Sequence, residues 1–85
     1  MGVQPDKLYS IFARNLKTLR KDRGWSQEDL AKAMSDGRSD AVFVPYISDL
    51  ERCVKKPSME TLARLSEVFE VEPADLISER ELSPA

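Results

Sequence analysis

The 85-residue chain has no histidine and a single cysteine, Cys53. That removes the commonest general base, the commonest zinc ligand and every Ser–His or Cys–His nucleophile pair. One cysteine makes neither an internal disulfide nor a metal cluster. The residue types left for chemistry are cations. Arg14, Lys17, Arg20, Lys21 and Arg23 form the densest positive stretch, offset only by Asp22, and Lys55 and Lys56 stand together further on. Residues 1–56 carry eleven Lys/Arg against eight Asp/Glu, whereas residues 57–85 carry two against seven. A basic front and an acidic back suit a surface that meets a polyanion. A net charge of −2 and a pI near 5.1 suit an ordinary mixed surface equally well, so charge alone leaves both readings open.

These cations need elements to hold them. At 41% hydrophobic and 33% charged the composition is globular, and the length allows one small domain, placed at residues 1–78 with a polar tail at 79–85. No apolar run approaches the roughly 18 residues of a membrane span, and the N-terminus lacks the layout of a secretory signal, so a cytoplasmic protein is expected. The punctuation predicts an all-α chain of five short helices. Asp6 is placed to cap a first helix to about Arg23, with Leu8, Ile11, Phe12, Leu16 and Leu19 on one stripe, and Gly24 ends it. Ser26 opens a second helix, with Asp29 completing an approximate capping box and Leu30, Ala31 and Met34 inside. Residues 35–40 are turn-formers and read as a solvent loop.

Pro45 predicts the start of a third helix, because proline suits a first helical position and is costly in an interior. That helix runs to about Arg52 with Ile47 and Leu50 inward. Ser58 caps a fourth helix that buries Leu62, Leu65, Val68 and Phe69. Pro73 opens a last short helix through Leu76 and Ile77, whose apolar side chains either offer, with Leu82 in the tail, a patch for a second copy or simply cap the core. Trp25 reads as a staple over the corner between the first two helices, with base stacking as its alternative.

A short helix, a turn and a second short helix suggest a helix-turn-helix. Four ordered blocks sharpen this: Leu-Lys-Thr-Leu-Arg-Lys-Asp-Arg-Gly-Trp-Ser-Gln-Glu-Asp-Leu-Ala (16–31), Tyr-Ile-Ser-Asp-Leu-Glu-Arg (46–52), Pro-Ser-Met-Glu-Thr-Leu (57–62) and Phe-Glu-Val-Glu-Pro-Ala-Asp-Leu-Ile (69–77). Together they resemble the lambda-repressor-like, or xenobiotic-response-element, family of helix-turn-helix DNA-binding domains. The resemblance implies a compact five-helix domain, here with an enlarged turn between helices 2 and 3.

It also implies roles. Ser26 and Gln27 would lie at the N-terminus of helix 2, whose free amides and dipole suit a phosphate. Gln27 matches the family's phosphate-anchoring glutamine. Helix 3 would lie in the major groove with Val44, Pro45, Tyr46, Ser48, Asp49 and Arg52 outward. Val44 could touch a thymine methyl, and Asp49 could accept from a cytosine amine or instead pair locally. Lys55 and Lys56 would clamp the next phosphate, and Arg38 in the enlarged turn could reach backbone, or that turn could contact a partner subunit. Arg20 and Glu51 fall where family members pair across the first and third helices. Cys53 falls where the family has a helix-ending glycine.

The expected function is a sequence-specific, DNA-binding transcriptional regulator acting on double-stranded DNA, as a homodimer on a palindromic site, since one short helix covers few base pairs. No cofactor, metal, membrane or small-molecule partner is indicated, and no acid–base pair suggests an enzyme. The alternative is a protein-interaction module of the same fold with weak or no DNA binding. The acidic pI, the apolar reading positions and the enlarged turn speak for it.

Overall fold

The computed structural model describes residues 5–35 and 43–79. Four α-helices are followed by a 3-10 helix: α1 (Pro5–Asp22), α2 (Gln27–Ser35), α3 (Phe43–Glu51), α4 (Met59–Phe69) and the 3-10 helix (Pro73–Ile77). The predicted fifth segment is therefore a single 3-10 stretch rather than an α-helix, and the described residues contain no strand. The all-α class expected from the sequence holds.

The helix boundaries follow local chemistry, with three differences from expectation. α1 starts at Pro5, one residue ahead of Asp6, because a proline at the first position gives up an N–H that has no helical acceptor there. Asp6 lies in the first turn, where a carboxylate meets the positive end of the helix. α2 runs on to Ser35, which is buried, its hydroxyl donating to the Lys32 carbonyl at 3.0 Å, so Ser35 belongs to the helix and not to the loop. α3 starts at Phe43, two residues before Pro45. As the third helical residue, Pro45 still occupies the turn whose N–H groups lack intrahelical partners, so it costs the helix no bond. Residues 36–40, including Arg38, and Leu82 lie outside the described residues.

Caps close the remaining ends. Ser26 Oγ accepts from the Asp29 N–H at 3.0 Å and Asp29 Oδ2 accepts from the Ser26 N–H at 2.9 Å, a complete reciprocal box at the start of α2. Ser58 Oγ accepts from the Thr61 N–H at 3.1 Å and opens α4.

One core unites the elements. Phe12, Leu16 and Leu19 of α1 meet Leu30, Ala31 and Met34 of α2, Ile47 and Leu50 of α3, Leu65 and Phe69 of α4, and Leu76. Ala31 is fully buried where α2 crosses α3, and the missing bulk lets the two backbones approach. Leu62 and Val68, expected inside, are only partly buried at the core's edge. Of the two readings open for the last segment, Leu76 follows the core-capping one and is fully buried, whereas Ile77 beside it is 39% exposed. Asn15 explains how the 3-10 helix is held. Buried on the apolar face of α1, its Nδ2 donates to the carbonyls of Asp75, Leu76 and Ser78 at 3.3, 3.0 and 2.8 Å. Its position between Phe12 and Leu16 is the only sequence signal it gives.

Candidate nucleic-acid interface

One polar cluster at the core's rim links α1, α2 and α3. Arg20 Nε donates to Glu51 Oε2 at 2.7 Å and Nη2 to Glu51 Oε1 at 3.0 Å, a two-pronged ion pair with side chains 10% and 5% exposed. Arg20 Nη1 also donates to the Trp25 carbonyl at 2.8 Å, tying the α1–α2 corner to the same guanidinium. The hydrogen bond that Arg20 donates to Glu51 is the main cause that raises the Arg20 pKa above its ordinary value, against the opposing effect of burial. Gln27 Nε2 donates to Glu51 Oε1 at 3.2 Å. The side chain at the head of α2 is thus lashed to the far end of α3.

Trp25 packs against the core with its ring 5.6 Å from that of Phe69. The Arg23 guanidinium lies 5.4 Å from the Trp25 ring and 5.5 Å from the Phe69 ring, and its Nη2 donates to the Phe69 carbonyl at 2.7 Å. Trp25 is a staple, and Arg23 closes the end of α4 rather than standing free in the basic stretch. Arg64 does the same for α2, donating to the Met34 carbonyl at 3.1 Å.

α3 has a core side and a solvent side. Ile47 and Leu50 point inward, and at about 100° per residue Pro45, Ser48, Asp49 and Arg52 form the opposite stripe. Val44 and Tyr46 lie on the flanks instead, both partly buried against the core. The Tyr46 hydroxyl meets Thr61 Oγ1 at 3.0 Å, so this ring fastens α3 to the first turn of α4. The six outward positions expected from the sequence therefore reduce to four.

That stripe carries its own charge pairing. Arg52 Nη2 donates to Asp49 Oδ1 at 2.7 Å, and Lys55 Nζ lies 3.8 Å from Asp49 Oδ2. Lys56 Nζ sits 5.1 Å from the Tyr9 ring of α1, a contact with no local signal in the sequence. Between them, Cys53 adopts φ 62° and ends α3: its N–H donates to the Leu50 carbonyl at 3.2 Å and the Val54 N–H to the Asp49 carbonyl at 2.8 Å. This is the left-handed Schellman closure that glycine serves with least strain. The capped start of α2, the outer stripe of α3 and the Lys55–Lys56 loop thus set a rod-like helix face beside a capped helix start, with cations beyond its end.

A helix-turn-helix family model matches residues 16–76, which take in the last part of α1, all of α2, α3 and α4, and the 3-10 helix up to Leu76. The chain belongs to this family of helix-turn-helix DNA-binding domains, of the lambda-repressor-like, xenobiotic-response-element type. Among curated proteins it is similar to the HTH-type transcriptional regulator DdrOP3 of Deinococcus deserti, at 39% identity over 66 residues. That alignment takes in 78% of this chain and 46% of the relative, so the chain spans about half the length of the protein it matches. No solved structure matches the chain.

Proposed function

We propose that the chain is a sequence-specific, DNA-binding transcriptional regulator that lays α3 in the major groove of double-stranded DNA. The observation that carries this is the outward stripe of α3. Pro45, Ser48, Asp49 and Arg52 stand opposite a fully buried Ile47 and Leu50, on a helix packed against α2 through the core and tied to α1 and α2 by the Arg20–Glu51–Gln27 cluster. A helix held so that one face is free is what entry into a groove about 12 Å wide requires. Ser26, with the free amides of α2, and Lys55 and Lys56 flank it as phosphate contacts that fix register. Gln27 reaches a phosphate only by sharing or leaving its bond to Glu51, so its anchoring is coupled to the ion pair.

A nine-residue helix reads few base pairs, which favours a homodimer on a two-fold site. The patch expected at Leu76 and Ile77 now lacks Leu76, and what remains is Ile77 beside the 83%-exposed Met59. Both line an apolar groove of about 200 Å³ with Leu8, Tyr9, Phe12, Pro57 and Leu62, surface that a second copy could cover. The testing experiment is selection from random duplexes, followed by binding to the selected duplex and to a scrambled one as salt is raised. A recovered two-fold site and a steep log–log salt slope are expected. No enrichment and no salt dependence would instead favour a protein-interaction module with this fold.

A further inference from the structure

We propose that Asp49 is a positioning residue, holding the Arg52 guanidinium for the two acceptors on the major-groove edge of a guanine; this rests on α3 entering the groove. Within the outer stripe Pro45 has no donor to offer and Ser48 has one hydroxyl. Arg52 alone carries the parallel N–H pair that matches guanine O6 and N7. Its side chain is 65% exposed, yet Nη2 is fixed at 2.7 Å on Asp49 Oδ1, so the guanidinium is oriented without being covered. Asp49 is itself well placed to be a fixed support. Its side chain is 21% exposed, and its carbonyl accepts from the Val54 and Lys55 N–H groups at 2.8 and 3.3 Å, closing the end of α3.

The charge balance separates base reading from a phosphate contact. A phosphate clamp gains from bare positive charge, and a carboxylate beside it cancels that charge and repels the DNA backbone. Asp49 also lies 3.8 Å from Lys55 Nζ, so it offsets more than one cation on this face. Such a residue weakens general affinity for a polyanion. Its return is a guanidinium with less rotamer freedom to lose when it meets a base edge.

The test compares site selection from random duplexes for the wild-type chain, Arg52→Ala, Asp49→Ala, Asp49→Asn and the double variant Asp49→Ala/Arg52→Ala, with circular dichroism confirming each fold. The wild-type site should contain a guanine whose preference falls roughly ten- to hundredfold in Arg52→Ala. Asp49→Ala should relax the same base pair and no other, while its affinity for scrambled duplex stays level or rises. At that base pair the double variant should be no worse than Arg52→Ala, and Asp49→Asn should fall between Asp49→Ala and wild type. Three results would overturn the assignment: Asp49→Ala shifting a base pair that Arg52→Ala leaves alone, Asp49→Ala changing no preference, or Arg52→Ala weakening every duplex equally with a salt slope lower by about one. A wild-type chain that enriches no duplex would remove the DNA-binding reading itself, a result distinct from an enriched site that Asp49→Ala does not alter.

Discussion

At the scale of single residues, three helices end on the same left-handed turn with three different side chains. Gly24 closes α1 at φ 70°, Cys53 closes α3 at φ 62° and Glu70 closes α4 at φ 57°. In each the following N–H reaches back five residues: Trp25 to Arg20, Val54 to Asp49 and Val71 to Ser66, at 3.1, 2.8 and 3.0 Å. A Cβ in this conformation costs about 1–2 kcal/mol, partly offset by the greater freedom that glycine loses on folding. Cys53→Gly and Glu70→Gly should therefore each raise the unfolding free energy by about 0.5–1 kcal/mol. Gly24→Ala should lower it by a similar amount through the backbone alone, since nothing lies within 4 Å of an added Cβ. One urea series on the three variants checks the signs. A lowered midpoint for Cys53→Gly would mean that the thiol, 3.7 Å from the Tyr9 carbonyl, contributes more than its backbone strain costs.

At the scale of elements, the start of α2 and the α1–α3 contact give two measurable consequences. The Ser26 N–H, and then its hydroxyl, hold the Asp29 carboxyl below its ordinary pKa. A group depressed in the folded state stabilises above its unfolded pKa, about 3.9, and that stabilisation is lost as pH falls through the folded value. Asp29→Asn should thus lower the thermal midpoint at neutral pH, and the gap from wild type should close as pH falls below about 4. A gap that stays full in strong acid would show that the charge is irrelevant to the cap. Removing Glu51 alone strands the mostly buried Arg20 and takes the acceptor from Gln27, so Glu51→Ala should cost about 3–5 kcal/mol. The double change Arg20→Met, Glu51→Leu should cost far less, because neither charge is left unpaired; equal losses would contradict this account. Helix starts written in local chemistry, Ser26 with Asp29 at α2 and Ser58 at α4, are legible in the sequence. The start of α3 was not, because Pro45 is tolerated anywhere in a first turn and so marks a range. The same slippage rotated the expected outer face: Val44 and Tyr46 lie within one turn of Pro45, and only the packing of Ile47 and Leu50 decides which flank they occupy. Asn15 and Glu70 carried too little local signal, as each depends on carbonyls that a different element or turn supplies.

At the scale of the whole molecule, the acidic total and the proposed DNA-facing surface are compatible because the charges are segregated along the chain and partly neutralised within it. Of the cations flanking α3, Arg52 and Lys55 share the Asp49 carboxylate, while Lys56 rests over an uncharged ring. A cation already facing a carboxylate releases less counterion binding from DNA than one that is not, so the two lysines should not be equivalent. Lys56→Ala should weaken selected and scrambled duplexes alike and lower the magnitude of the log–log salt slope by about one. Lys55→Ala should act in the same direction with a smaller change, and in an Asp49→Asn background its effect should grow toward that of Lys56→Ala. Neither lysine change should alter which sequence is recovered by selection, since phosphate contacts carry no base information. Salt titrations of both lysine variants in the wild-type and Asp49→Asn backgrounds, beside the two parents, against one selected and one scrambled duplex measure all of this. Equal slopes for the two lysine variants in both backgrounds would show that Asp49 does not shield Lys55 on the DNA-bound face, and a redrawn site in Lys56→Ala would place that lysine over bases rather than backbone.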